Sequence, residues 1–329
     1  MKEAILYKKF DDAKVSCFLC SRRCVIPNGK RGYCGVRENK QGTLYSLVWG
    51  RACSYAIDPI EKKPFYHFFP GTRAFSIATV GCTFHCAHCQ NWEISQPGEI
   101  YGENYSPEEV LRLSGECEGI AYTYTEPTIF MEYALDIAKL AREKGKYNVF
   151  VTNGYMTPEA IREMKLIDAS RIDLKSMRDK FYKEVCGASL EPVLESIKLL
   201  HKKGHVELIN LIIPGKNDSE EELRELSKWV CDLDSDIPLH FTVYHPAHKL
   251  FAPPTPAKTV ERARAIAIEE GVHFAYAGNL PGHPGENTYC YNCNELLIER
   301  TGFFVSKYSL GKDKLCKKCG TKIKIVDVI

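Results

Sequence analysis

No stretch of this chain stays apolar long enough to cross a bilayer. Apolar runs such as Leu211 to Ile213 fall far short of the roughly 20 residues a spanning helix needs. The start, Met1 to Lys9, lacks an apolar core followed by a small-residue cleavage site. A cytoplasmic location with no membrane span is therefore expected. Neither sign of charge dominates either: the net charge is +2, with 26% charged and 44% hydrophobic residues, ordinary values for a globular protein. Both ends are basic and the middle is acidic. A basic rim can follow a phosphate backbone or offset the charge of metal thiolates, so bulk charge does not define a nucleic-acid binder. The Gly282-His283-Pro284-Gly285 stretch lacks the lysine and serine of a phosphate loop and reads as a hinge or lid.

Cysteine, by contrast, is abundant. There are 15, many for a compartment where disulfides are rarely kept, and most fall in three tight groups, which favours metal over disulfides. Cys53, Cys117, Cys186 and Cys231 are left over and read as small buried hydrophobes. Cys82, Cys86 and Cys89, spaced C-x3-C-x2-C after the apolar run Ala74 to Val80, supply three corners of a site and leave a fourth open. An incomplete thiolate set fits an iron–sulfur cluster with one exchangeable position. A three-cysteine zinc site with a distant fourth ligand, or unrelated buried thiols, are the alternatives.

The other two groups are complete. Cys17, Cys20, Cys24 and Cys34 lie among glycines and a proline, in the composition of a metal-wrapping loop. Structural zinc is the first reading and an auxiliary iron–sulfur cluster the second. Cys290-x2-Cys293 and Cys316-x2-Cys319, with 22 residues between the pairs, have zinc-ribbon spacing, with rubredoxin-like iron as the minor alternative. Such a ribbon is first a metal staple for a segment too small to hold a core. Lys317, Lys318, Lys322 and Lys324 also suit a docking platform.

Between these groups the chain alternates. β-rich apolar runs at 74–81, 119–125, 147–152, 170–174, 205–213, 238–244 and 272–277 are separated by stretches of helical period. Ser106-Pro107-Glu108-Glu109 and Ser219 to Glu222 read as capping boxes, and Phe130, Tyr133, Ile137, Leu140 and Ala141 line one face of a helix ending near Gly145. Strand–helix repetition predicts a parallel sheet, open or closed into a barrel, with functional residues where strands end. Residues at those ends are Glu126, Asn153, Asp173 with Lys175, Pro214 to Asp218, and His245. Residues 41–73 read as a connector, either a strap across the barrel bottom or part of a substrate wall.

C-x3-C-x2-C, Thr152-Asn153-Gly154, Asp173-Leu174-Lys175-Ser176-Met177 and Tyr244-His245 together resemble a radical S-adenosylmethionine (SAM) enzyme of the pyruvate formate-lyase activating enzyme type. The words Cys34 to Asn39, Asp58 to Phe65, Cys89-Gln90-Asn91 and Gly278 to Cys290 resemble most closely the branch called the AmmeMemoRadiSam system radical SAM enzyme. The resemblance implies an α/β fold: a partial (β/α)6-type barrel at 74–280, a four-cysteine metal segment and connector at 1–73, and a zinc-ribbon-like domain at 281–329. It implies a [4Fe–4S] cluster on Cys82, Cys86 and Cys89, and reductive cleavage of SAM to a 5′-deoxyadenosyl radical that takes hydrogen from an unidentified substrate. Glu126 corresponds to the glutamate facing the cofactor ammonium, although the family's Gly-Gly-Glu stands here as Tyr124-Thr125-Glu126. Asn153, Asp173 and Lys175 correspond to contacts with the cofactor's polar parts, His245 to one near the ribose, and His88 to one near the adenine. The implied partners are an electron donor such as ferredoxin or flavodoxin, Memo-like and AMMECR-like proteins, and a macromolecular substrate. A glycyl-radical activase, a modifier of RNA or lipid, and a non-catalytic metal-bound interaction module are the rival readings.

Overall fold

The computed structural model describes residues 1–96 and 98–328. Its centre is an eight-stranded sheet whose spatial order follows the chain. The strands are β1 (Ser54–Pro59), β2 (Arg73–Ala78), β3 (Gly119–Tyr122), β4 (Tyr147–Thr152), β5 (Ala169–Asp173), β6 (His205–Ile212), β7 (Leu239–Val243) and β8 (Ala275–Gly278). Strand β1 runs antiparallel to β2, and all later pairings are parallel. Among the described residues no pairing joins β8 to β1, so the barrel is partial. Among the described residues, the longest helix of each crossover from β2 onward is, in order, α1 (Pro107–Leu113), α2 (Met131–Glu143), α3 (Pro158–Glu163), α4 (Glu191–Lys203), α5 (Glu220–Leu233) and α6 (Ala257–Glu269). These are the six βα units expected of the fold.

The local reasons are in the residues. Every residue of β3, β4 and β7 is buried, as strands covered on both faces require. Met131, Tyr133, Ala134, Ile137, Ala138 and Ala141 form the buried face of α2. The Ser106 capping box forms in full. The second one forms only by half: Ser219 accepts from Glu222 N, but the Glu222 carboxylate turns inward to Ser176 Oγ and to the Met177 amide at 3.0 Å. Glu222 is buried, and closing the Ser176 turn uses its charge where the helix start had been expected to.

Strand β1 lies inside the predicted connector, so a boundary at residue 73 cuts through the central sheet. The connector reaches both ends of the barrel. Phe65 and Phe68 plug the barrel floor against Ala74, Ala121, Val149 and Ala169, while Lys62, Lys63 and Pro64 line the cavity at the opposite end. Gly119 is required at this floor, because a Cβ there would lie 1.9 Å from the Tyr147 ring.

Residues before β1 form two small three-stranded antiparallel sheets. Beyond β8, residues 288–308 form a third, which packs under the barrel. Buried Arg300 from this sheet donates to the Tyr66 carbonyl at 2.8 Å and to Thr288 Oγ1 at 2.8 Å. Glu207, inside the barrel, accepts from the amides of Tyr66 (2.9 Å) and His67 (2.8 Å) and from the Nε2 atoms of His205 (3.0 Å) and His240 (2.8 Å). The chain then returns beneath the floor, where Phe69 N donates to Val326 O at 2.6 Å and Val326 N to His67 O at 2.8 Å. The Gly282–Gly285 stretch, read as a hinge or lid, forms a turn anchored at Gly285: Gly285 N donates to His283 Nδ1, and a Cβ on Gly285 would lie 2.8 Å from the Ala277 side chain.

Candidate functional site

The loop after β2 carries Cys82, Cys86 and Cys89, and their side chains open on a cavity of about 350 Å³ at the C-terminal ends of the strands. The loop is held from behind by a turn of the chain near residue 186: His85 N donates to Cys186 O at 3.1 Å and Ala87 N to Val185 O at 2.8 Å. The Cys186 thiol sits close to Cys86. No spacing in the sequence signalled this fourth, buried neighbour.

Strand β3 leads to Glu126, 1% exposed, whose carboxylate collects donors from two strand ends. One oxygen accepts from Thr128 N (3.1 Å), Thr128 Oγ1 (2.5 Å) and Thr152 Oγ1 (2.7 Å), the other from Asn153 N (2.8 Å). Burial raises its pKa, and these hydrogen bonds oppose the rise. Asn153 faces the cysteine loop: its amide nitrogen donates to Thr83 Oγ1 at 2.9 Å and lies 3.6 Å from Cys82 Sγ. On β5, alternation places Arg171 and Asp173 on one face, with Lys175 just beyond. Asp173 accepts from Arg171 and, at 2.9 Å, from Lys175 Nζ. Burial lowers the Arg171 pKa to about 10. His88 lines the same cavity, and burial pulls its pKa down to about 3, so the ring is neutral. Its Nδ1 and the Arg171 Nε are buried without a partner.

The wall opposite is built on Asp58. Its carboxylate accepts from Lys62 Nζ (2.8 Å), Lys63 Nζ (2.6 Å), Ser76 Oγ (2.9 Å) and Tyr124 Oη (2.6 Å). Burial alone would raise the Asp58 pKa, but these hydrogen bonds outweigh it and hold the carboxyl well below its usual range. Burial lowers Lys63 to about 8 despite Asp58. Tyr124 has φ 63°, the left-handed region that glycine favours. The Tyr-Thr-Glu sequence thus keeps a glycine-like backbone at its first position. It is held there by the bond to Asp58, by Lys63 Nζ 4.2 Å from the ring centroid, and by Asn91 Nδ2 donating to the Tyr124 carbonyl at 2.8 Å.

Of the predicted cofactor contacts, Glu126, Asn153, Asp173, Lys175 and His88 border this one cavity. His245 does not: it is exposed, and the inward position on β7 belongs to Thr242. The polar tip after β6 is also elsewhere engaged, since Asn217 donates to the carbonyls of Lys175 (2.6 Å) and Leu211 (2.9 Å) and thereby braces the β5 end. Arg171 went unread, although it stands two residues before Asp173 and shares its face. Lys62 and Lys63 went unread because only tertiary folding brings the connector to the cavity.

The three cysteine groups differ in spread. Among the described residues, Cys290, Cys293, Cys316 and Cys319 alone bring three or more sulfurs within 4.8 Å of one another. Two of their sulfur pairs lie at 3.6 Å, near the edge of about 3.8 Å that Zn–S bonds of about 2.3 Å give a tetrahedron. Cys17, Cys20, Cys24 and Cys34 line one small cavity, and no three of their sulfurs lie within 4.8 Å of one another. Of the leftover cysteines, Cys117 and Cys186 are buried and Cys53 and Cys231 half-buried.

A parallel partial barrel with a cysteine loop after its first parallel strand defines a class of metallocluster protein, and the comparisons agree. Residues 76–230 match the family model of the Radical SAM superfamily. An uncharacterized protein of Methanocaldococcus jannaschii is 50% identical over 99% of this chain and 100% of its own length. The pyruvate formate-lyase-activating enzyme of Clostridium pasteurianum is 24% identical over 54% of this chain and 76% of its own. In fold alone, the chain is similar to Streptococcus suis SuiB bound to S-adenosylmethionine, with TM-score 0.50 and 11% identity over 61% of this chain and 49% of that one. The chain belongs to the Radical SAM superfamily. That membership implies a [4Fe–4S] cluster and SAM. No helix among the described residues is long and apolar enough to cross a membrane.

Proposed function

We propose that Cys82, Cys86 and Cys89 hold the four-iron cluster of a SAM-cleaving radical enzyme, and that the cavity above them takes SAM and the reacting part of a substrate. The observation that carries this reading is the convergence of three thiols with Glu126, Asn153, Asp173, Lys175 and His88 on one cavity. The donor chemistry fits the group: three soft thiolates, and no other cysteine among the residues lining that cavity. When bound, cluster and SAM supply a 5′-deoxyadenosyl radical for hydrogen abstraction. Glu126 is the carboxylate for an ammonium, its oxygens already oriented by four donors. Asp173, held by Arg171 and Lys175, and the unpartnered Arg171 Nε offer an acceptor and a donor for the polar parts of a nucleoside or amino acid. Neutral His88 presents a flat ring beside the cysteines. Lys62, Lys63 and Pro64 line the far side of the cavity.

The division into an N-terminal metal segment, a barrel and a C-terminal ribbon belongs to the same proposal, with β1 assigned to the barrel. The 3.6 Å sulfur pairs support zinc in the ribbon. A low-potential one-electron donor completes the reaction, and association with Memo-like and AMMECR-like proteins is testable by co-purification. The anaerobically reconstituted protein, given a reductant and SAM, should release 5′-deoxyadenosine, and Cys86→Ala should release none. Equal release by that variant would overturn the proposal.

A further inference from the structure

We infer that Cys17, Cys20, Cys24 and Cys34 bind a second iron–sulfur cluster, which feeds electrons to the one at Cys82, Cys86 and Cys89. The site itself stands on sulfur spacing, whereas the direction of electron flow rests on the function proposed above.

The chain contains its own standards for spacing. The C-terminal cysteines close to within 4.8 Å, as one shared zinc ion demands. Cys82, Cys86 and Cys89, the set the superfamily uses for a cluster, stay farther apart. A cluster puts a separate iron under each thiolate and so holds the sulfurs wider than a single ion does. The N-terminal four behave like the second group: all four line one cavity with Leu19 and Ile26, yet no three of their sulfurs gather within 4.8 Å. Buried Arg37 adds a cation to this cavity, its Nη1 3.5 Å from Cys17 Sγ, and is itself fixed by Glu132 and by the Ile5 carbonyl at 3.1 Å. A sulfur hydrogen-bonded to a guanidinium in an apolar shell is a recognised means of setting a cluster's potential.

The two cysteine sites touch. Gly81, bonded to Cys82, has φ 103°, and a Cβ placed on it would lie 2.8 Å from the Cys34 carbonyl oxygen and 2.7 Å from Val36. One van der Waals contact and one peptide bond therefore separate a ligand of one site from a ligand of the other. A second path runs through Arg22, which donates to the Thr83 carbonyl from Nε (3.1 Å) and Nη2 (2.9 Å). Thr83 borders the N-terminal cavity, and its hydroxyl meets the Asn153 amide that lies against Cys82. At the outer side Cys24 stands between exposed Arg23 and Val25, within reach of a carrier protein. The step moves one electron and no atoms. A low-potential carrier of the ferredoxin or flavodoxin class is oxidised by one electron, the N-terminal cluster is reduced and reoxidised, and the electron arrives at the cluster on Cys82.

The test uses the full chain with Cys82→Ala, Cys86→Ala and Cys89→Ala combined, which leaves the N-terminal set intact. After anaerobic reconstitution with iron and sulfide, this variant should keep about four irons and one zinc per chain, against about eight irons in the parent. Its reduced form should give an electron paramagnetic resonance signal that SAM does not alter. An iron-free variant holding two zincs overturns the site. Failure of the parent to cleave SAM while the variant keeps its iron removes the proposed function and leaves the second cluster standing. For the relay, the parent is mixed with one equivalent of reduced flavodoxin plus SAM and frozen at intervals. The SAM-insensitive signal should rise first and decay as 5′-deoxyadenosine forms; prior appearance of the SAM-sensitive signal overturns the relay.

Discussion

Tyr124→Phe removes one oxygen atom from the wall of the cavity, and the structure says how much that atom holds. The hydroxyl donates to the Asp58 carboxylate at 2.6 Å and anchors a residue whose φ of 63° is unfavourable for any side chain. A hydrogen bond to a charged group contributes about 1.5–3 kcal/mol, and a non-glycine residue in the left-handed region costs roughly 1–2 kcal/mol. The two nearly cancel, so the bond offsets most of the cost of the conformation that Lys63 and Asn91 also support. Tyr124 is only half-buried, so the lower end applies, and Tyr124→Phe should lose about 1.5 kcal/mol in urea unfolding. Asp58→Asn should cost about 3 kcal/mol or more, because it leaves buried Lys63 without its counter-charge. The double variant should fall short of the sum by at least about 1 kcal/mol, the coupling between hydroxyl and carboxylate. Tyr124→Phe should also weaken SAM binding in calorimetry, since Glu126 follows two residues later. Additive unfolding free energies, within about 0.3 kcal/mol, would refute the idea that Asp58 holds the strained turn.

Three other outcomes follow from the buried charges. Lys63 has a folded pKa of about 8 against its ordinary 10.5, so the folded state binds fewer protons between those values and stability rises with pH across that window by up to about 3 kcal/mol. In Lys63→Met that rise should be missing from denaturation midpoints taken between pH 8 and 10.5. For Glu207, burial would raise the pKa, but the bonds from His205 and His240 outweigh it and lower it beneath the ordinary 4.5. Its contribution is therefore complete above pH 4.5 and is lost as the pH falls further, and Glu207→Gln should flatten that acid limb in thermal scans. Arg300→Gln strands the Tyr66 carbonyl and leaves buried Glu61 without its cation. A loss of about 2–4 kcal/mol is expected, with faster hydrogen exchange at Phe69 and Val326; unchanged exchange would mean that the C-terminal sheet does not brace the floor.

The strands were legible because their sequences are buried on both faces. The predicted runs at 147–152 and 205–213 meet β4 (Tyr147–Thr152) and β6 (His205–Ile212) almost residue for residue. Strand β1 was missed, since Pro59 and the aromatic run after it disguise six residues that alternate in exposure. Cysteine spacing marked the three cysteine groups, but spacing along a loop does not fix the separation of sulfurs in space. For the N-terminal set it leaves structural zinc and an auxiliary iron–sulfur cluster both open. His245 lies outside the cavity lining because a position just past a strand end has no fixed face, whereas Arg171, Asp173 and Thr242 follow the alternation of β5 and β7.

The seam under the barrel joins residues made at very different times. His67 Nδ1 meets the Lys324 carbonyl at 2.8 Å across 257 positions of chain, and Phe68 pairs with Val326 beside it. Closing so long a loop costs little more entropy than closing one half its length, so equilibrium stability hardly registers the distance. Biosynthesis does. A nascent chain that emerges from its N-terminus has Lys62, Lys63 and the barrel strands in hand long before the residues that lock the neighbouring floor. The floor of the barrel therefore stays unlatched until translation has passed residue 326, whereas the residues that line the cavity at the opposite end are all made by Asn279.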